Sequence, residues 1–468
     1  MGNPSGSESR LSRGSAAKPT SSGSGNGGRS QVGDALANID WRLFAALLLM
    51  GLCPTIYTTL RTFFLGQLPG EYAYSIAGQL SWVSLLYEIL DEAIILPLFF
   101  ALGSPRRQPD EFSNRVRTGL VASCGIYAVF AAAIMVAAPS LLGLMAADPS
   151  IMSESASYIR IESVANVFGI AYRFLCVALV ATGRSRDVYA ITAAKLVMSV
   201  VLDTFLVSSL PVSLNLGVNG IGYSNIVSNA VLACVAWGLL SGQGYVRRGT
   251  RMSFSWIRKV SGICGLSGLE SLVRNVAYLL MVSRMVNVVG EQGTYWVANN
   301  FIWGWMLLPV LQLGELIKKE VSADGRNVRR NLPGYMVATA AIVAIWVVAI
   351  PAYRPFMAGV LGFDDVDKLF GLVMILFLPY VAFAFQNVFD SVFYGRGRTD
   401  YMLFESVVTN SVYYGAMFVA YLNGWWEPSL TGIAIMFGIG NVFDAVVSGL
   451  AFRHFLRRHK TEGLPEAA

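Results

Sequence analysis

Apolar runs of about twenty residues recur along almost the whole of this 468-residue sequence, and each can cross a hydrocarbon core about 30 Å thick as a helix. Only 14% of the residues are charged and 54% are hydrophobic, against roughly 25% charged in an ordinary soluble domain. Such a chain has too little polar surface to fold in water. Hydropathy predicts spans near 42–66, 74–102, 116–138, 155–182, 188–210, 219–240, 257–289, 294–317, 332–352, 368–394, 400–421 and 430–452. The expected fold class is an all-α membrane protein with twelve transmembrane helices.

The polar segments narrow the possible functions. Residues 1–40 are rich in Gly and Ser ("SSGSGNGGRS") and read as a disordered tail. No short apolar stretch with a small-residue cleavage site precedes the first span, which is expected to act as the insertion signal. Cys53, Cys124, Cys176, Cys234 and Cys264 fall at irregular spacing inside apolar segments, so free thiols are expected. His454 and His459 both lie in the basic C-terminal end, which leaves no His/Cys cluster for a metal or haem. No phosphate-cradling glycine loop ending in Gly-Lys-Ser or Gly-Lys-Thr occurs. The chain reads as neither an enzyme nor an ATP-driven pump, with no cofactor and no nucleic-acid partner expected.

Charge sets the orientation. Alternate connections carry Arg106, Arg107, Arg115 and Arg117, then Arg184 and Arg186, Arg247 to Lys259, Lys318 to Arg330, Arg396 and Arg398, and the tail Arg457, Arg458 and Lys460. The opposite set has little beyond Arg354 and Lys368. Retention of positive charge on the inner side predicts cytoplasmic termini in a multi-pass cell membrane protein.

An internal repeat organises the spans. Gly183, Arg184, Arg186 and Tyr189 recur as Gly395, Arg396, Arg398 and Tyr401, and the same 212-residue offset relates Asn229 to Asn441. The basic connection "SGQGYVRRGTRMSF" separates the sixth span from the seventh. The expected division is a tail (1–40), a six-helix bundle (41–240), a cytoplasmic linker (241–256), a second bundle (257–455) and a basic tail (456–468). Six spans per half is an even number, so the halves are parallel repeats, which in transporters place a substrate site at their interface. Each tag is expected to be a cytoplasmic turn, with Gly closing the bend and Arg anchoring helix ends at the anionic membrane face.

With these features, the segments "TFFLG" (62–66), "LGVNGIGYSNIVSNA" (216–230) and "GLSGLESLVRN" (265–275) resemble the multidrug and toxic compound extrusion (MATE) transporters over about residues 41–455. The resemblance implies antiport, in which an amphipathic, often cationic compound leaves while Na⁺ or H⁺ enters. In "SVVLDTF" (199–205) it implies a first-lobe cation site, with Ser199 in place of the family's Asn and Asp203 kept as its Asp. Asn225 in the sixth span belongs with them, and Glu270 matches a membrane-embedded Glu of many members. One position departs: where the family usually writes Asp-Thr, this chain writes Arg61-Thr62. Arg61 is therefore expected to stand as a built-in counter-charge for Asp203.

Other ionisable groups lie inside spans, where each costs a few kcal/mol and usually faces a partner or a wet cavity. Glu88, Asp91 and Glu92 fall at i, i+3 and i+4 and are expected to share one helical face, with Arg173 and Lys195 as cationic partners. A buried ion network locking the first bundle and a proton or cation relay fit this pattern equally. Glu270 and Arg274 form an i, i+4 pair. Asn299, Asn300, Trp303, Tyr380, Asn387 and Asp390 are candidates to line a central cavity, though polar packing between helices would use the same residues. The leading expectation is a monomeric antiporter of small organic compounds, with membrane lipids around it. The alternative is a flippase of lipid-linked saccharides, which would want a cationic cavity built from Arg61, Arg173, Arg274 and Arg284. A non-transporting scaffold or receptor gives no reason to embed these acids.

Overall fold

The computed structural model describes residues 27–68, 72–103, 109–182, 184–247 and 251–458. Where the sequence predicts spans, it forms helices: α2 (Trp41–Gly66), α3 (Ala73–Gly103), α4 (Pro109–Leu144), α5 (Met152–Ala181), α6 (Ser185–Leu206) and α7 (Val218–Gly242) in the first half. The second half holds α8 (Ile257–Tyr278) and α9 (Arg284–Val288), α10 (Gln292–Phe301) and α11 (Leu308–Ala323), then α12 (Asn327–Gly359) and α13 (Val366–Gly395). It closes with α14 (Thr399–Val408), α15 (Gly415–Leu422) and α16 (Leu430–Arg458). No strand occurs among the described residues. Among the described residues eight helices are each long and apolar enough to cross a membrane, and α10 with α11, bent by 51°, makes a ninth. The others are α3, which carries Glu88, Asp91 and Glu92, and the rods 257–288 and 399–422, each interrupted by a π turn.

Three π turns, Leu279–Ser283, Ile302–Met306 and Thr409–Tyr414, all fall in the second half. Each inserts an extra residue into the helical ladder, a distortion that often marks functional sites. All three adjoin or supply the wall of the cavity described below.

The buried apolar residues divide as the helices do. One large cluster joins Ile39 to the residues from Met281 to Phe455 of the second half, and three smaller ones fill the first. The connection after α7 is strapped to α4: the Arg247 amide donates to Ser113 Oγ (2.8 Å), Ser253 N to Asn114 Oδ1 (2.7 Å), and Trp256 Nε1 to Thr118 Oγ1 (2.9 Å).

The expectation of a disordered tail over 1–40 is corrected in its last third. Gly27–Ala37 is helix α1, and Ala35 and Ile39 are 1% and 4% exposed. The reason is a fitted surface on α12: a Cβ on Gly334 would stand only 3.0 Å from the Ala35 carbonyl carbon. Asp40 then ties the chain across the halves. Its side chain caps α2 by accepting from Leu43 N (3.0 Å), and its own amide donates to Glu320 Oε1 of α11 (2.9 Å).

Both tags are helix-to-helix turns, between α5 and α6 and between α13 and α14. The expected bend-closing role of Gly395 is corrected: its added Cβ would meet the Lys318 carbonyl oxygen at 2.7 Å, so Gly395 serves close packing, and the left-handed residue is Gly397 at φ 66°. Gly183 lies outside the described residues. The arginines bond to protein: Arg396 donates to Val321 O (3.3 Å), Arg398 pairs with Asp400 (2.8 Å), and Arg184 pairs with Asp187.

The two halves meet tightly at the end away from the termini. Gln79 Nε2 donates to Asn287 Oδ1 (2.8 Å), and Asn287 Nδ2 donates back to Gln79 Oε1 (3.1 Å) and to Met145 O (2.9 Å). Gln292 Nε2 bonds Gly78 O (2.8 Å), Arg284 Nε bonds Leu144 O (3.0 Å), and Tyr74 Oη bonds Leu361 O (3.2 Å). This seam closes the distal face. The space between the halves lies on the other side of it.

Candidate functional site

Two polar centres stand out. The first is inside the first bundle. Arg61 near the distal end of α2 donates through Nε to Asp203 Oδ2 (2.8 Å) and through Nη2 to Asp203 Oδ1 (3.3 Å), a two-point pair that only a planar guanidinium can make. The Asp203 side chain is 1% exposed and that of Arg61 15%. Arg61 also stands over the Tyr57 ring at 4.6 Å and donates to Asn225 Oδ1 (3.2 Å). Asn225 then donates its amide to Glu162 Oε1 (2.5 Å). Ser199, a turn before Asp203, faces Ser228 Oγ at 3.5 Å and is 2% exposed.

Glu162 is the residue that sequence reasoning missed here. It lies in mid-α5, 4% exposed, with no spaced partner in sequence to draw attention to it. The signal available was an acid inside a span.

The acids of α3 are divided, which corrects the expectation of a shared face. Glu88 lines the cavity between the halves, whereas Asp91 turns into the first bundle, accepting from Tyr127 Oη (2.5 Å) and pairing with Arg173 (3.0 Å). Glu92 holds a contact of its own and is not part of the cavity wall. Lys195 Nζ sits 4.7 Å from the Tyr172 ring centroid.

The second centre is a cavity of about 630 Å³ between the halves. Among the described residues its wall carries four acids (Glu88, Asp390, Glu405 and Asp444) and one base, Lys318. Asp444 accepts from Gln386 Nε2 (2.6 Å) and Thr409 Oγ1 (2.7 Å), and Asp390 from Ser448 Oγ (2.8 Å). Glu405 is 3% exposed, and its Oε1 has no hydrogen-bond partner. Lys318 is held by Glu315 (2.7 Å). Aromatic rings complete the wall, among them Tyr278, Trp303, Phe383, Tyr394, Tyr414 and Phe437. Glu405 and Asp444 were not read from sequence.

Trp303 is 41% exposed and faces this space, backed by Tyr380 in an edge contact at 6.4 Å. Tyr380 itself is 1% exposed and outside the wall, so its expected cavity position is corrected: Trp303 covers it. Asn299 lines the cavity and a 250 Å³ chamber beside α2, and Asn300 lines only the chamber. Asn387 lines the cavity and donates to Val310 O (3.0 Å). Glu270 and Arg274 lie on α8, and their side chains are outside the described residues.

Two helical bundles, a charged centre inside one and an aromatic, acidic cavity between them define a polytopic helical membrane protein with a polar space between its halves. Residues 46–205 match the family model MatE. Along nearly its whole length the chain takes the fold of MATE transporters. It resembles an inward-facing multidrug resistance MATE transporter of the MOP superfamily, at 18% identity over 87% of this chain and 96% of that one, TM-score 0.73. An outward-facing structure so described matches at 17% identity, 92% and 99% coverage and TM-score 0.66. A MATE structure in complex with Br-NRF matches at 18%, 93% and 99% and TM-score 0.60. No curated protein sequence matches.

Proposed function

We propose that this chain is a secondary antiporter that exports amphipathic organic cations in exchange for Na⁺ or H⁺ by alternating access of its two bundles. One observation carries the reading: the cavity has the volume of a drug-sized ligand site, an aromatic wall and an excess of acids over bases. Rings offer a π-face to a cation, and the acids supply charge that water would otherwise screen. Both termini are cytoplasmic in this reading, and the protein works as a monomer in the cell membrane. The sealed distal face and the cavity beyond it then correspond to a form that loads from the cytoplasm.

The flippase alternative needs unengaged cations. Of the four arginines it would use, Arg61 is paired to Asp203, Arg173 to Asp91, and Arg284 is bonded at the distal seam; the side chain of Arg274 is outside the described residues. Cells expressing the chain should accumulate less of a fluorescent organic cation, and collapse of the ion gradients should abolish the difference. An effect that survives gradient collapse and follows ATP would overturn the proposal.

A further inference from the structure

The acids of the first-bundle centre are unequally partnered. One guanidinium, Arg61, stands with two carboxyl groups, Asp203 and Glu162. Asp203 takes both donors of the Arg61 fork, and Glu162 receives only an amide hydrogen from Asn225. The remaining groups facing Glu162 come from every side of the bundle: Tyr87 on α3, Tyr158 on its own helix, and Lys195 on α6. Lys195 lies over the Tyr172 ring, and it and Arg61 act on Glu162 through space rather than by a hydrogen bond. A carboxyl group that is 4% exposed, with an amide as its bonded partner, is poorly compensated when ionised and well accommodated when it carries a proton.

We propose that Glu162 is the proton-binding site of the first bundle. Arg61 repels a metal cation from this centre, so the acid that exchanges with solvent takes a proton instead. In the loaded form the proton sits on the Glu162 carboxyl, and Asn225 donates to its carbonyl oxygen. Release breaks the O–H bond and passes the proton to water. The new carboxylate then competes with Asp203 for Arg61 through Asn225, whose amide already spans the two. Arg61 belongs to α2, and Thr58, Thr59 and Thr62 of that helix line the 250 Å³ chamber between the bundles. Proton occupancy at Glu162 thereby biases the position of a helix that borders the transport path.

This inference rests on the antiport reading and narrows its coupling ion. The test uses the full chain in liposomes and in detergent, with a fluorescent organic cation as probe. Wild-type protein should move the dye under a pH gradient and release protons into weakly buffered solution when it binds dye. Glu162→Gln, neutral and of similar shape, should still bind the dye, with an affinity that no longer varies with pH, and should lose both pH-driven movement and proton release. Infrared difference spectra of the wild type between low and high pH should show the carbonyl band of a dry carboxylic acid, absent from Glu162→Gln. Should that variant not be recovered folded, Glu162→Asp must shift the pH midpoint of dye uptake. If pH-driven movement persists in Glu162→Gln at wild-type rate, the Glu162 site is wrong and antiport stands. Coupling to Na⁺ alone, without proton release, also overturns it. Dye movement under neither gradient overturns the antiport reading itself.

Discussion

Gln79 of α3 and Asn287 of α9 exchange two hydrogen bonds across the halves, at 2.8 and 3.1 Å, while 1% and 6% exposed. Each amide turns a donor and an acceptor to the other, and Trp82 Nε1 adds a third bond to Gln79 Oε1 (2.9 Å). In the alternating-access reading the pair forms only when the distal face is closed, and so favours that arrangement of the bundles. Asn287→Leu would strand the Gln79 amide in a dry site at a cost of about 1–3 kcal/mol. The expected outcome is a shift toward the distally open form, read as faster thiol labelling in a Ser75→Cys background, a near-isosteric reporter beside Gly293 at the same seam. A double-mutant cycle with Gln79→Leu should return a coupling of about 1–2 kcal/mol. Additive effects would mean that the two amides do not act as a unit.

The Arg61–Asp203 pair makes a different prediction. Asp203→Asn leaves a guanidinium unpaired in a mostly buried site, and removal of one partner of such a pair costs about 3–5 kcal/mol. Protein yield and melting temperature should fall sharply. The second change Arg61→Asn should restore part of both, because no charge is then left stranded. Normal folding of Asp203→Asn together with lost ion-driven transport would show Asp203 to be a coupling residue instead.

In the cavity, Trp303→Ala should weaken binding of an organic cation by about 1–2 kcal/mol, the usual worth of a desolvated cation–π contact, and leave a neutral analogue less affected. Asp444→Asn should weaken the cation selectively as well, since Gln386 and Thr409 hold that carboxylate in place. Fluorescence titration of cationic and neutral dyes against each variant checks both.

Helix α1 is held by a contact that any larger side chain at 334 would break. Gly334→Leu should displace it from α12, expose 27–40 to protease and destabilise the protein by about 1–3 kcal/mol, as overpacking does.

The spans were legible because a helix crossing lipid must satisfy its backbone internally, and so writes a long apolar run in sequence. Arg61 could be set against Asp203 because the repeat and the family resemblance fixed which helices share a bundle. Glu162, Glu405 and Asp444 were passed over since none has an opposite charge three or four positions away in its own span; their partners come from other helices. The split of Glu88 from Asp91 shows the limit of the i, i+3 rule: α3 lies between a cavity and a bundle, so one turn of helix faces both. The docking of α1 depends on a single glycine almost 300 residues away in sequence, which no local pattern reveals.

Purified protein in sealed liposomes, given a fluorescent organic cation and either a Na⁺ gradient or a pH gradient, tests ion-coupled antiport most directly. The account predicts dye accumulation against its own gradient when an ion gradient is imposed, and none when both are dissipated. Equal dye movement with and without a gradient would contradict it.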